Sequence, residues 1–170
     1  YVLINVAYSF YLKRLPVVDV LCVATGFVLR VYAGAQAISV PLSSWMFVTV
    51  FCLALFMALI KRERELLYKN EGQPRAVLAC YQQTLVRRAA MGCALASLAC
   101  YMVFVVVVNP SLTLTLPAVA FGFWRYWSLT RFGYEGESPT DVVVSDLPLR
   151  LAVLAFVVCT VWVLTWSVAL

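Results

Sequence analysis

Histidine is absent from this 170-residue chain. That excludes histidine-dependent catalytic triads and histidine-ligated metals. The six cysteines (Cys22, Cys52, Cys80, Cys93, Cys100 and Cys159) form no Cys-x-x-Cys pair. Five of them lie inside apolar runs, where cysteine behaves as a small apolar residue. No P-loop occurs. Charge is scarce as well: Asp, Glu, Lys and Arg make up 12% of the residues, where a soluble domain carries about 25%. What replaces it is apolar. Hydrophobic residues reach 64%, and they are gathered in runs close to the roughly 20 residues that cross a bilayer. The composition is that of an integral membrane protein. The net charge of +5 is then no argument for nucleic acid, because topology gives basic residues another use.

Six membrane segments are predicted within one all-α transmembrane domain, at residues 1–12, 15–38, 42–60, 89–108, 115–130 and 151–170. Residues 1–12 read as the second half of a span. The chain opens on Tyr1, already in an apolar stretch, so further sequence is expected upstream. The valine and aromatic content does not argue for strands, since an isolated strand cannot satisfy its backbone in lipid. The loops "SVPLS" (39–43) and "NPSLTL" (109–114) carry no charge. The 61–88 connection holds seven Lys/Arg against three Glu, and Lys13, Arg14 and the 131–150 connection fall on its side. The positive-inside rule makes that side the cytoplasm of a plasma membrane.

One segment joins the two themes. "LALFMALIKRERELLYKN" (53–70) is apolar to Ile60, and then five successive residues, Lys61 to Glu65, are charged. Snorkelling accounts for Lys61 and Arg62, but not for Glu63 and Glu65. If the helix continues, Lys61 and Glu65 stand at i and i+4 and can pair. Asp19 and Arg30, eleven residues apart, share a helix face yet lie about 16 Å apart along it, so each needs another partner. Gly26 and Gly34 flank Arg30 by four residues, a spacing that suits close helix packing. Arg125 sits near the cytoplasmic end of its span, just before Tyr126. Lys13, Arg14, Arg30, Lys61, Arg62 and Arg125 thus supply cations on one face, with Asp19, Glu65, Asp141 and Asp146 as carboxylates. Cations suit phosphates, and carboxylates suit the magnesium that bridges them. A cytoplasmic pocket for a phosphorylated or pyrophosphorylated substrate is expected.

"NVAYSFYLKRLPVVDVLCVATGFVLRVYAGA" (5–35) resembles the middle of UbiA-superfamily prenyltransferases. "SWMFVTVFCLALFMALIKRERELL" (44–67) resembles the branch that transfers phosphoribose to polyprenyl phosphates, in which Lys-Arg-x-x-Glu replaces a second Asp-rich motif. "FWRYWSLTR" (123–131) and "VVVSDLPL" (142–149) are similar to it more weakly. The resemblance implies a helical bundle of about nine spans, of which the last five and a half fall here. It implies Mg²⁺ and attack by a polyprenyl phosphate, such as decaprenyl phosphate, on C1 of 5-phosphoribosyl-1-pyrophosphate, towards a precursor of cell-wall arabinan. It also implies a first Asp-rich motif, which is not among these residues, so this stretch alone is expected to be incomplete as an enzyme. Carried onto this chain, it assigns Lys61, Glu65 and Asp19 to catalysis, with Asp19 and Glu65 linked to the metal. Lys13, Arg62, Arg125, Tyr126 and Arg30 are assigned to substrate phosphates. Two alternatives stay open: a prenyltransferase acting on an aromatic acceptor, and a non-enzymatic transporter or assembly subunit. Self-association is left open too.

Overall fold

The computed structural model describes residues 17–37, 39, 42–67, 82–131 and 139–168. Lys13, Arg14 and the predicted span 1–12 lie outside them. Among the described residues there are six α-helices: α1 (Val18–Ala37), α2 (Ser44–Leu67), α3 (Gln83–Val107), α4 (Leu116–Arg131), α5 (Pro139–Ser145) and α6 (Leu147–Val168). A 3₁₀ helix, Pro110–Thr115, leads into α4. There is no strand among the described residues, as the all-α reading requires. Helices α1 and α3, with α2 as far as Leu66, are long and apolar enough to cross a membrane. Their outward residues include Leu21, Phe27, Leu95 and Val106. Apolar side chains on the outside are what a lipid solvent asks for.

The chain divides into two compact units, Tyr1–Cys100 and Tyr101–Leu170. In the first, α1 and α2 pack side by side. Val20, Ala24 and Val28 are buried along α1, and Ala54, Phe56 and Ile60 along α2. Ser97 of α3 donates a buried hydrogen bond of 3.0 Å to the Thr49 carbonyl of α2. Thr49 gives its own hydroxyl to the Trp45 carbonyl at 2.8 Å, so neither group is stranded in an apolar setting.

The buried stripe of α1 corrects one expectation. Steps of four residues drift about 40° round a helix of 3.6 residues per turn, so Val20, Ala24 and Val28 turn away from the face that Asp19 and Arg30 share. Asp19 is buried and Arg30 is exposed. The Arg30 guanidinium lies over the Phe27 ring, 5.5 Å from its centroid. Among the described residues, close packing around the glycines is not seen either, since a Cβ built at Gly26 or Gly34 meets none of them within 4 Å.

In the second unit, α4 packs against α6, and the 3₁₀ helix packs against both. Buried Tyr101 and Thr115 share a hydroxyl–hydroxyl bond of 2.5 Å, and the Tyr101 ring meets Phe156 edge-on with centroids 6.3 Å apart. Prolines stand in the first turn of four of these helical elements, Pro110, Pro117, Pro139 and Pro148, where a missing N–H costs nothing.

Candidate functional site

Helix α1 begins where α2 ends, and this places Asp19, in the first turn of α1, against Arg62 near the end of α2. An Arg62 Nη2 contact of 2.5 Å to Asp19 Oδ2 joins the two helices. The other terminal nitrogen, Nη1, is bonded to Glu65 Oε2, three residues along α2. One planar guanidinium therefore bridges two carboxylates, a task its fork of donors suits and a lysine ammonium does not. Asp19 is 1% and Arg62 6% exposed. Charges so deeply removed from water persist only when paired and hydrogen-bonded. The carboxylate of Asp19 also stands at a helix N-terminus, where the backbone dipole favours a negative group.

The neighbours of this triad differ from it. Lys61 is exposed although the next residue is buried, because consecutive helical positions point about 100° apart. Glu65 takes Arg62 as its ion-pair partner, not the Lys61 expected from the i, i+4 spacing. Glu63 reaches Arg87 of α3 at 4.0 Å. Among the described residues, the start of α1, the end of α2 and the start of α3 thus bring these paired charges together at one end of the helices, while Arg30 lies further along α1. That Asp19 and Arg62 are partners, and Glu63 and Arg87 likewise, was not readable from local spacing; the only sequence signal was that all four fell on the charged side of the topology.

In the second unit, Arg125 of α4 makes a two-pronged contact with Asp146, through Nε at 3.1 Å and Nη2 at 2.9 Å. Asp146 precedes α6 and also accepts the Leu149 N–H at 3.0 Å, which caps that helix. Tyr126 is buried beside this pair in sequence. The side chain of Asp141 lies outside the described residues. The Arg125 guanidinium first, and the Leu149 N–H and more distant Arg150 after it, hold the Asp146 carboxyl below its ordinary range, against the opposing effect of burial. A depressed carboxyl contributes stability above its unfolded pKa of about 3.9 and loses it as the pH falls through the lower folded value. Asp146→Asn is expected to lower the melting temperature at pH 7. At pH 3 it should lower it by much less, as a detergent-solubilised thermal scan at both pH values would show.

Magnesium was expected on Asp19 and Glu65. Among the described residues no three carboxylate or thiol side chains converge as they would to hold an ion, and both of these carboxylates are engaged by Arg62. With Arg62 on both, Asp19 and Glu65 are not a preformed metal site among the described residues.

No family model matches the chain. Curated relatives do. It is 30% identical over 170 residues to the decaprenyl-phosphate phosphoribosyltransferase of Corynebacterium glutamicum, covering 95% of this chain and 51% of that protein. The enzyme of the same name from Mycolicibacterium smegmatis is 28% identical over 172 residues, 92% of this chain and 54% of the relative. That of Mycobacterium tuberculosis is 29% identical over 160 residues, 93% and 44% respectively. The chain is similar to decaprenyl-phosphate phosphoribosyltransferases along nearly its whole length. It spans about half the length of these curated relatives. The likeness includes both the Asp19 helix and the Lys61–Glu65 block, which the structure brings together. Three of its helices are long and apolar enough to cross a membrane, in keeping with a membrane-embedded chain.

Proposed function

We propose that the full-length protein transfers phosphoribose from 5-phosphoribosyl-1-pyrophosphate to a polyprenyl phosphate such as decaprenyl phosphate. The reaction would run at the cytoplasmic face of the plasma membrane, towards a cell-wall arabinan precursor. The single observation that carries this reading is the similarity to three enzymes of that name over more than nine-tenths of the chain. The charge at one end of the first unit supplies its chemistry. The C1–oxygen bond to pyrophosphate breaks, and a new C1–oxygen bond forms to the lipid phosphate. Negative charge builds on the leaving pyrophosphate, and an exposed cation such as Lys61 stabilises it where it develops. The acceptor is already an anion, so no strong general base is needed and the lack of histidine is no obstacle. Glu65, the more exposed of the two carboxylates, serves as an acceptor for the ribose hydroxyls, and the enclosed Asp19 acts through its grip on Arg62. Magnesium belongs to the proposal as the ion that accompanies pyrophosphate. Arg30, stacked on Phe27, and Arg125, held by Asp146, are assigned no phosphate.

Purified full-length protein would be assayed with phosphoribosyl pyrophosphate and decaprenyl phosphate, and in parallel with a prenyl diphosphate and an aromatic acid. Phosphoribosyl lipid and free pyrophosphate are expected from the first pair only. Turnover of the aromatic acid alone would assign the prenyltransferase chemistry instead, and no turnover of either pair would favour a transporter or assembly role.

A further inference from the structure

Arg62 and Lys61 are adjacent cations in the same charged block, yet they stand in opposite situations. Lys61 is exposed. Arg62 is buried, with one terminal nitrogen on Asp19 of α1 and the other on Glu65 of α2. Of the two carboxylates, Asp19 is the enclosed one, its side chain 2% exposed, while that of Glu65 is 28% exposed. The order is therefore directional: an enclosed acid on one helix grips the guanidinium, and the guanidinium grips the acid that faces outward. We propose that Arg62 is a positioning residue that acts through Glu65. Anchored by Asp19, it fixes the direction of the Glu65 carboxylate, and it leaves Lys61 as the cation that meets the donor's phosphates.

The inference rests on the transferase reading above. A guanidinium 6% exposed and already bonded to two carboxylates is enclosed by its own partners and is poorly placed to meet a phosphate arriving from solvent. A carboxylate with only a helix end beneath it would sample several rotamers, and a rotamer change moves its oxygens by more than the fraction of an ångström that productive geometry tolerates. Losing an orienting group lowers turnover, whereas losing a group that binds the donor equally in ground and transition states raises KM.

The test is a set of full-length variants, Arg62→Gln, Asp19→Asn and the pair Asp19→Asn/Arg62→Gln, read in two ways. In steady-state kinetics with phosphoribosyl pyrophosphate, Arg62→Gln is expected to lower kcat by about tenfold or more while KM stays within about threefold. The double variant should be no worse than the poorer single one. A KM raised about tenfold with kcat preserved, and losses that multiply in the double variant, would make Arg62 a direct phosphate ligand and overturn the proposal. Should Arg62→Gln fail to fold, the double variant leaves no unpaired buried charge at the bridge and carries the same kinetic test. Thermal unfolding of the same set needs no substrate. Non-additive melting shifts are expected for bridged partners, and additive shifts would overturn the bridge. If the wild-type protein turns over no phosphoribosyl pyrophosphate, the transferase reading fails on its own, and the unfolding cycle still decides whether Asp19 and Arg62 act together.

Discussion

Asp19→Ala is expected to lower the stability of the first unit by about 3 kcal/mol, the lower end of what breaking a buried ion pair costs. The size follows from burial and not from Coulomb attraction alone. Arg62 is 6% exposed, so its charge has little water to turn to when Asp19 is removed. Glu65 remains as a partner, which keeps the loss from being larger. The same change removes a carboxylate from the first turn of α1, where it interacts favourably with the positive end of the helix dipole. It also severs a contact that joins α1 to α2, so both helices lose a fixed point at the same end. A fluorescence-monitored melt of the full-length protein in detergent should show a drop of several degrees. Asp19→Asn should show a smaller one, since the amide keeps an oxygen that can accept from Arg62. An unchanged melt for Asp19→Ala would mean that the bridge contributes nothing.

Lys61→Ala is expected to do the reverse: little to stability and much to turnover. Its side chain is exposed, and the packed stripe of α2 runs through Ala54, Phe56 and Ile60. Truncating an exposed residue away from such contacts changes stability by about 0.5 kcal/mol or less. If its ammonium stabilises the departing pyrophosphate, kcat/KM for phosphoribosyl pyrophosphate should fall by about 100-fold, the scale seen when one charge-stabilising donor is lost from a preorganised site. Expression and melting temperature should match the wild type. Wild-type kinetics in this variant would remove Lys61 from the reaction and leave the charged block as a membrane-topology signal.

The class of fold was legible from composition, because a chain this apolar and this poor in charge has few soluble solutions. Helix ends were legible less well. Lipid length suggested a segment ending at Ile60, while α2 runs on to Leu67. Lys, Arg and Glu are good helix formers, and Arg62 and Glu65 pair inside the continuing turn. Which partner Glu65 would choose was not legible, since Lys61 at i−4 and Arg62 at i−3 both satisfy helical spacing. Burial against α1 decided it. The Asp19–Arg62 contact is long-range, and only the packing of α1 on α2 creates it. Charge sidedness could place the two at one rim but could not pair them. Arg125 shows the same limit: its position near a helix end was readable, whereas its partner Asp146 is a helix cap reached across the α4–α6 packing.

Lys61 offers the most direct measurement. Amine-reactive labelling of the full-length protein, quantified at Lys61 by mass spectrometry, would be run with and without saturating phosphoribosyl pyrophosphate and magnesium. Strong protection of Lys61 by the donor, and none by free ribose, is the predicted result. Equal labelling of Lys61 with and without the donor would contradict the placement of its phosphates at this end of α2.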